Sequence, residues 1–513
     1  MPRTLTSIVV RGVSVASGGF LLTQLLTMGT YVALARLAPP KTFGTFAAGS
    51  IIGIVTSVFT ESGMTAALIQ WRRDVEEAAA TAFTSTVVGG ILLTLLAAAL
   101  APAVGLFFRS GEITRVALAI AGMHLVSALT IVPEAIMIRR FSFARAIFVE
   151  PLAWLAFAAV TIFCFVDGLG VWSLVLGTYA YGGTRVALAW GFCRWWPDLR
   201  LASWRTWREL AGFARHVVLS ELLREARGVL NVALVGRVLG AGPLGEYKFG
   251  LRIASQLPAP AAQAGSYVLL PTFANIADDR PRLARAYLRS LRSLCLVTTP
   301  ITLMLIPLGA PVAVLVFGRQ WHQAGLVAAC LVGVSVSFAP IQIASELFKA
   351  TAQPRNLPVI NFLSAVVPGV LMVAGIPFGL VGVAVGISIG SVIVGVEALR
   401  RAGSITGVPL TASAKAVWPA LAGGLVGAFA LLAFDRSFVE AGTRGAAVGL
   451  ALATAEFLVG LLLALAVAAL LAPDVAGDLR GAVHAVKSRR RPLDISAPPV
   501  GELDQRSPAS PVG

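Results

Sequence analysis

Long apolar runs separated by short polar turns set the pattern of this chain. A bilayer core about 30 Å thick is crossed by about 20 helical residues rising about 1.5 Å each. Against that length the sequence predicts spans near 14–37, 44–69, 80–106, 114–138, 147–166 and 169–192. A second set follows near 217–239, 244–270, 288–317, 323–349, 357–377 and 379–399, with a last pair near 412–434 and 445–472. The expected fold class is all-α, a polytopic integral membrane protein with about 14 transmembrane helices. The first run, FLLTQLLTMGTYVALARLA, follows MPRTLTSIVVRGVSVASGG with no convincing cleavage site. It is expected to stay as a membrane helix, because a signal peptide's apolar region is about 7–15 residues and ends at small residues. From Pro473 onward the chain carries RRRP and then SAPPVGELDQRSPASPVG, a Pro/Ser-rich tail expected to be disordered.

Polar positions inside the spans are few and fall in stripes. In the seventh span Glu221, Arg224, Glu225, Arg227 and Asn231 lie within about 160° of arc at 100° per residue. In the eighth, Lys248, Arg252, Ser255, Gln256 and Gln263 lie within about 100° by the same construction. Two consecutive helices with facing polar stripes would line a water-filled central cavity. A charge at bilayer depth costs about 2.5–3.5 kcal/mol on insertion scales and faces a cavity or a partner. Elsewhere, Arg185 near one end of the sixth span reads as snorkelling to the interface. Glu61, Glu134, Glu150, Glu346 and Glu397 sit at helix ends where solvation or a neighbouring Arg accounts for them. Glu456, midway along the last span, reads as a protonatable site or a structural, helix-paired carboxyl.

The polar turns themselves repeat. LARLAPPKTFGTFAAG at 34–49 and VGRVLGAGPLGEYKFG at 235–250 superpose without a gap at an offset of 201, matching Arg36 to Arg237, Gly44 to Gly245, Phe46 to Tyr247 and Gly49 to Gly250. Six spans separate the copies, and an even number inserts both halves the same way up, related by an axis along the membrane normal. The expected organisation is two six-helix bundles, 1–192 and 217–400, joined by an amphipathic linker at 193–216. An extra helix pair at 401–472 and the tail at 473–513 complete it. The linker, rich in Arg and carrying Trp195, Trp196, Trp204 and Trp207, suits the headgroup level. Arg36 and Arg237 belong to the turn motif and are expected to fix helix ends.

Composition sharpens this picture. Of 513 residues 57% are hydrophobic and 13% charged, and the mean hydropathy is +0.83. A soluble domain would have roughly 45–50% apolar and about 25% charged residues. The net charge of +16 would point to nucleic acid in a soluble chain, but here it is topological. Of the 41 Lys and Arg, 28 fall on one side of the spans, 8 on the other, and five (Arg185, Arg224, Arg227, Lys248 and Arg252) within them. Both termini are therefore expected in the cytoplasm. The four cysteines and four histidines make no CxxC, HxxxH or HExxH spacing, so no metal, disulfide framework or cofactor is expected.

The second-half turn, LVGRVLGAGPLGEYKFGLRIASQLPA, followed by VLLPTFANIADDRPRLARAYLRSL, resembles the Wzx-type polysaccharide-exporting flippases of the multidrug/oligosaccharidyl-lipid/polysaccharide exporter superfamily. LARLAPPKTFGTFAAG and ESGMTAALIQ look like its first-half counterpart. Where that family often has Asp six residues before the Arg of the GR pair, this chain has Asn231. The resemblance implies a multi-pass protein of the bacterial inner membrane that moves an undecaprenyl-diphosphate-linked oligosaccharide from the cytoplasmic to the periplasmic leaflet by alternating access. Its partners would be that lipid-linked oligosaccharide and membrane lipids, with a polysaccharide polymerase and export machinery as further partners such a role admits.

On this reading Arg224, Arg227, Lys248 and Arg252 attract the diphosphate, since guanidinium groups donate bidentate hydrogen bonds to phosphate oxygens. Glu221, Glu225 and Glu456 are candidates for ion coupling or for a structural network. Two alternatives stay open. An ion-coupled drug exporter of the same superfamily would favour acids over bases in its cavity. A membrane-embedded glycosyltransferase or polymerase would need a large soluble loop with clustered acids or histidines, which this chain lacks.

Overall fold

The computed structural model describes residues 22–472 apart from 62, 72–73, 141–142, 352, 354 and 436–444. The N-terminal part of the first expected span, the basic tail and the side chains of Glu61, Arg224 and Gln263 lie outside the described residues. No strand occurs among the described residues. The first half comprises α1 (22–37), α2 (Pro40–Gly49), α3 (Ile51–Glu61), α4 (Gly63–Gln70), α5 (Val75–Phe108), α6 (Gly111–Ala121), α7 (Met123–Arg139), α8 (Phe143–Val166) and α9 (Val171–Cys193). After it come α10 (Trp204–Val238), α11 (Ala241–Gln256), α12 (Ala259–Ala274), α13 (Arg280–Leu303), α14 (Leu305–Phe317), α15 (His322–Cys330), α16 (Val332–Val336), α17 (Phe338–Ala350), α18 (Asn356–Gly375) and α19 (Gly379–Thr406). The chain continues in α20 (Leu410–Phe434) and α21 (Ala446–Leu471).

This is a multi-pass membrane protein. Among the described residues six segments are long and apolar enough to cross a bilayer: Val75–Phe108, Gly111–Arg139, Phe148–Val166, Asn356–Thr406, Leu410–Phe434 and Ala447–Leu471. Two bent pairs raise the number to eight. One is α13 with α14, bent by 55° at Met304, where Pro300 and Pro307 each remove an N–H from the helical ladder. The other runs Arg319–Cys330 and Val332–Ala350 and bends by 44°. Several expected spans are thus two helices in tandem, because proline and glycine interrupt runs that are continuous in hydropathy alone. The opposite holds at 193–216, where the expected linker does not stand alone. From Trp204 it forms the opening turns of α10, a 35-residue helix continuous with the seventh span.

With lipid on the outside, helices gain by close packing rather than by escaping water, so small residues line the contacts. The α18–α19 hairpin is the clearest case. A methyl on Gly386 would meet the backbone of Leu371, and one on Gly390 the backbone of Pro368. In the same way Gly423 and Gly427 bring α20 against Ala464 and Gly460 of α21, and Gly460 abuts Met304 at the α13–α14 bend. Large apolar side chains such as Leu92, Leu95 and Leu106 are left facing outward.

Candidate functional site: a cationic cavity where the repeated turns meet

The two copies of the turn motif are brought face to face. The N-termini of α2 and α11 cross so closely that a methyl on Gly44 would run into the carbonyl of Ala241, and one on Gly245 into the carbonyl of Pro40. Under the 201-residue offset Pro40 corresponds to Ala241 and Gly44 to Gly245, so each half of the contact is the other with the partners exchanged. Each turn arginine reaches a helix end in the other half. Arg36 Nε donates to Val316 O at 2.8 Å and its Nη2 to Leu315 O, at the end of α14. Arg237 lies over the ring of Phe107, 5.8 Å from its centroid, at the end of α5. Trp321 Nε1 and Gln320 Nε2 donate to Ala35 O at 2.8 and 2.7 Å. The rings of Phe43, Phe249 and Trp321 pack between these contacts, with centroids 3.9–5.5 Å apart. At this end of the molecule the two halves are in direct contact.

Beside the crossing lies a cavity of about 470 Å³ whose polar lining includes Ser50, Lys248, Arg252, Ser255 and Gln256, with Tyr31 and Phe46. The four α11 residues are one helical face, three and four positions apart. Gln24 Nε2 donates to Gln256 Oε1 and ties α1 to this face. Arg252 lies over the Tyr31 ring, with Cζ 3.4 Å from its centroid. Among the described residues its buried Nε has no hydrogen-bond partner and no carboxylate pairs with the guanidinium. Lys248 feels the Glu225 carboxylate from α10 on one side and Arg252 on the other. The first-half counterparts of Lys248 and Arg252 are Ala47 and Ile51, so these two positions are charged in the second copy only.

The other sequence candidates are distributed differently. Arg227 does not join Lys248 and Arg252. It lines a separate pocket of about 180 Å³ with Gln342, Asn361, Ser364 and Ser391 of α17, α18 and α19. The physical reason is the width of the α10 stripe: α10 packs on α3, α4 and α5 and also on α18, so polar residues 160° apart serve two neighbours. Glu221 and Glu225 lie on the same helix and are partly buried. Asn231 Nδ2 donates to the buried Tyr247 hydroxyl at 2.9 Å, a neutral contact between α10 and α11. Glu456 is 5% exposed in α21, and neither carboxylate oxygen has a partner among the described residues.

Arg185 does not snorkel. Its Nε and Nη2 reach Glu134 Oε1 and Oε2 at 3.0 and 2.7 Å, a bidentate pair between α9 and α7. Glu150 of α8 stands beside this pair and accepts from Trp154 Nε1 at 3.0 Å and from the Tyr181 hydroxyl at 2.7 Å. Sequence reasoning missed this cluster, and with it Tyr31 and Trp154, whose rings connect it to Arg252. The available signal was the Glu150–Trp154 spacing of four on one helix.

Residues 33–325, more than half of the chain, match the model of a family described as polysaccharide biosynthesis protein. The chain belongs to that family. Within the polysaccharide biosynthesis family it is 23% identical over 300 residues to a succinoglycan biosynthesis transport protein of Rhizobium meliloti, covering 57% of this chain and 59% of that one. It is 21% identical over 274 residues to a teichuronic acid biosynthesis protein of Bacillus subtilis, covering 53% and 56%. The chain thus spans less than two thirds of the length of these relatives. Among solved structures, a lipid II flippase in an inward closed conformation shares the fold with a TM-score of 0.71 at 14% identity, over 90% of this chain and 99% of that one. An inward-facing multidrug transporter of the MATE family gives 0.60 at 15% identity, over 75% and 96%. The resemblance read from the turn motifs therefore holds at the level of the family.

Proposed function

We propose that this chain is a flippase that moves an undecaprenyl-diphosphate-linked oligosaccharide from the cytoplasmic to the periplasmic leaflet of a bacterial inner membrane, for polysaccharide export. It would do so with about 14 spans, arranged as two six-helix bundles that rock about the Gly44–Gly245 crossing, and with both termini cytoplasmic. The observation that carries this reading is the state of Arg252. A guanidinium with no acidic partner among the described residues, in a cavity between the halves and next to Lys248, is an open site for phosphate oxygens. Family membership supports this class of cargo, and the exchange-related contacts of Gly44 and Gly245 support such an axis.

The lipid tail needs apolar surface close by. Such a surface lies on the other face of α3, where Ile51, Ile52 and Val55 with Leu93, Leu96 and Leu100 line a groove of about 530 Å³. A drug exporter on the same fold would present acids to organic cations, and the charged α11 wall is basic. The test is Arg252→Ala. Lipid-linked glycan is expected to accumulate in the cytoplasmic leaflet while the protein still folds and inserts. Normal export by this variant would remove Arg252 from the site.

A further inference from the structure

The α8 wall carries a second recognition group, opposite in charge to α11. Along α8 the outward apolar residues Phe148, Leu152, Leu155, Phe163 and Val166 form one face. Glu150 lies about 180° from the centre of that face at 100° per residue, in a stripe with Trp154, Phe157 and Thr161. Its side chain is nonetheless 41% exposed. The exposed surface therefore lies on the side of α8 away from its apolar face. The path to the cation site is continuous: Trp154 packs 6.3 Å from Tyr31, and Tyr31 carries Arg252.

The two oxygens of Glu150 are in different states. Oε1 is fixed by two donors, Trp154 Nε1 and the Tyr181 hydroxyl. Oε2 is 4.0 Å from Arg185 Nε, beyond hydrogen-bond distance, because Arg185 is committed to Glu134. What remains is one oriented acceptor on a partly exposed side chain, bracketed by aromatic rings. A metal cation is a poor occupant, since it would ask for about six or more oxygen ligands and would meet two donors and a guanidinium instead. A ligand with hydroxyl donors and C–H faces suits both the acceptor and the rings.

We propose that Glu150 Oε2, with the Trp154 and Tyr181 rings, reads the sugar next to the diphosphate, while Arg252 and Lys248 hold the phosphates. This rests on the flippase reading and adds to it a division of labour between the two walls. The test uses the full chain in nanodiscs with two probes, polyprenyl diphosphate and the same carrier bearing a glucose disaccharide. The wild type is expected to bind the glycosylated carrier about tenfold more tightly, the order of one charge-assisted hydrogen bond. Glu150→Gln, which keeps an acceptor for Trp154 and Tyr181 but puts an NH2 in place of Oε2, should lose that preference with bare-carrier binding unchanged. Arg252→Ala should weaken both probes alike. If the Glu150 variant does not fold, Tyr181→Phe, which keeps the ring but removes one of the two donors that orient the carboxylate, carries the test and must lower the preference without altering bare-carrier binding.

Equal binding of both probes by the wild type would overturn the sugar subsite and leave the flippase reading standing. Failure of the wild type to bind bare carrier would sink both. Should Glu150→Gln keep the preference but lose the response of transport to a proton gradient, Glu150 would be a proton site and the subsite would fall.

Discussion

At the scale of single residues, what could be read depended on how far away the partner lay. Lys248 and Arg252 share a helical face with Ser255 and Gln256, and that grouping follows from local periodicity. Arg185 pairs with a carboxylate 51 positions away, so its place near a helix end suggested the interface when the true partner was across the bundle. Glu456 makes the same point from the opposite side, since nothing in its neighbourhood of the sequence reveals that its oxygens have no hydrogen-bond partner among the described residues. An ionised carboxylate buried without donors costs several kcal/mol. Glu456→Gln keeps the shape and cannot ionise, so its thermal unfolding in detergent is expected at the same temperature as wild type or higher. Glu456→Lys should lower it sharply. A marked loss in the Gln variant would show that the fold depends on the charge itself.

Elements were legible where hydropathy and breaks coincide, and less so where they do not. The apolar runs locate the helices because each must satisfy its own backbone in lipid. They do not show that α10 continues through the Trp-rich segment, since a helix leaving the membrane changes its side chains but not its backbone bonds. Nor do they show which glycines touch. Gly386 and Gly369 both lie in apolar helices, yet a methyl on Gly386 would meet the Leu371 carbonyl while one on Gly369 has nothing within 4 Å. Gly386→Ala should therefore push α18 from α19 and cost about 1–3 kcal/mol. Gly369→Ala should stabilise by up to about 1 kcal/mol through helix propensity. Unfolding measured side by side for the two variants separates contact from propensity, and a similar effect from both would mean that the hairpin is not held by this approach.

For the whole molecule, the repeat visible at 34–49 and 235–250 turned out to mark where the two copies meet, a relation that sequence matching alone cannot supply. The matching says which residues are equivalent; only the fold shows that Gly44 rests on Ala241 while Gly245 rests on Pro40. A contact of this kind constrains what mutation can do. Widening it from either side strains the same interface, so Gly44→Ala and Gly245→Ala are expected to weaken the closed end by similar amounts and favour conformations open there. A cysteine at Ser255, on the exposed part of the α11 face, reports this through labelling by a membrane-impermeant thiol reagent added outside. Each single variant should raise the labelling rate by a similar factor. The double variant should exceed either by less than the product, since residues in direct contact are not additive. Unequal single effects, or fully multiplicative ones, would mean that the two turns act independently and that the crossing is not a shared fulcrum.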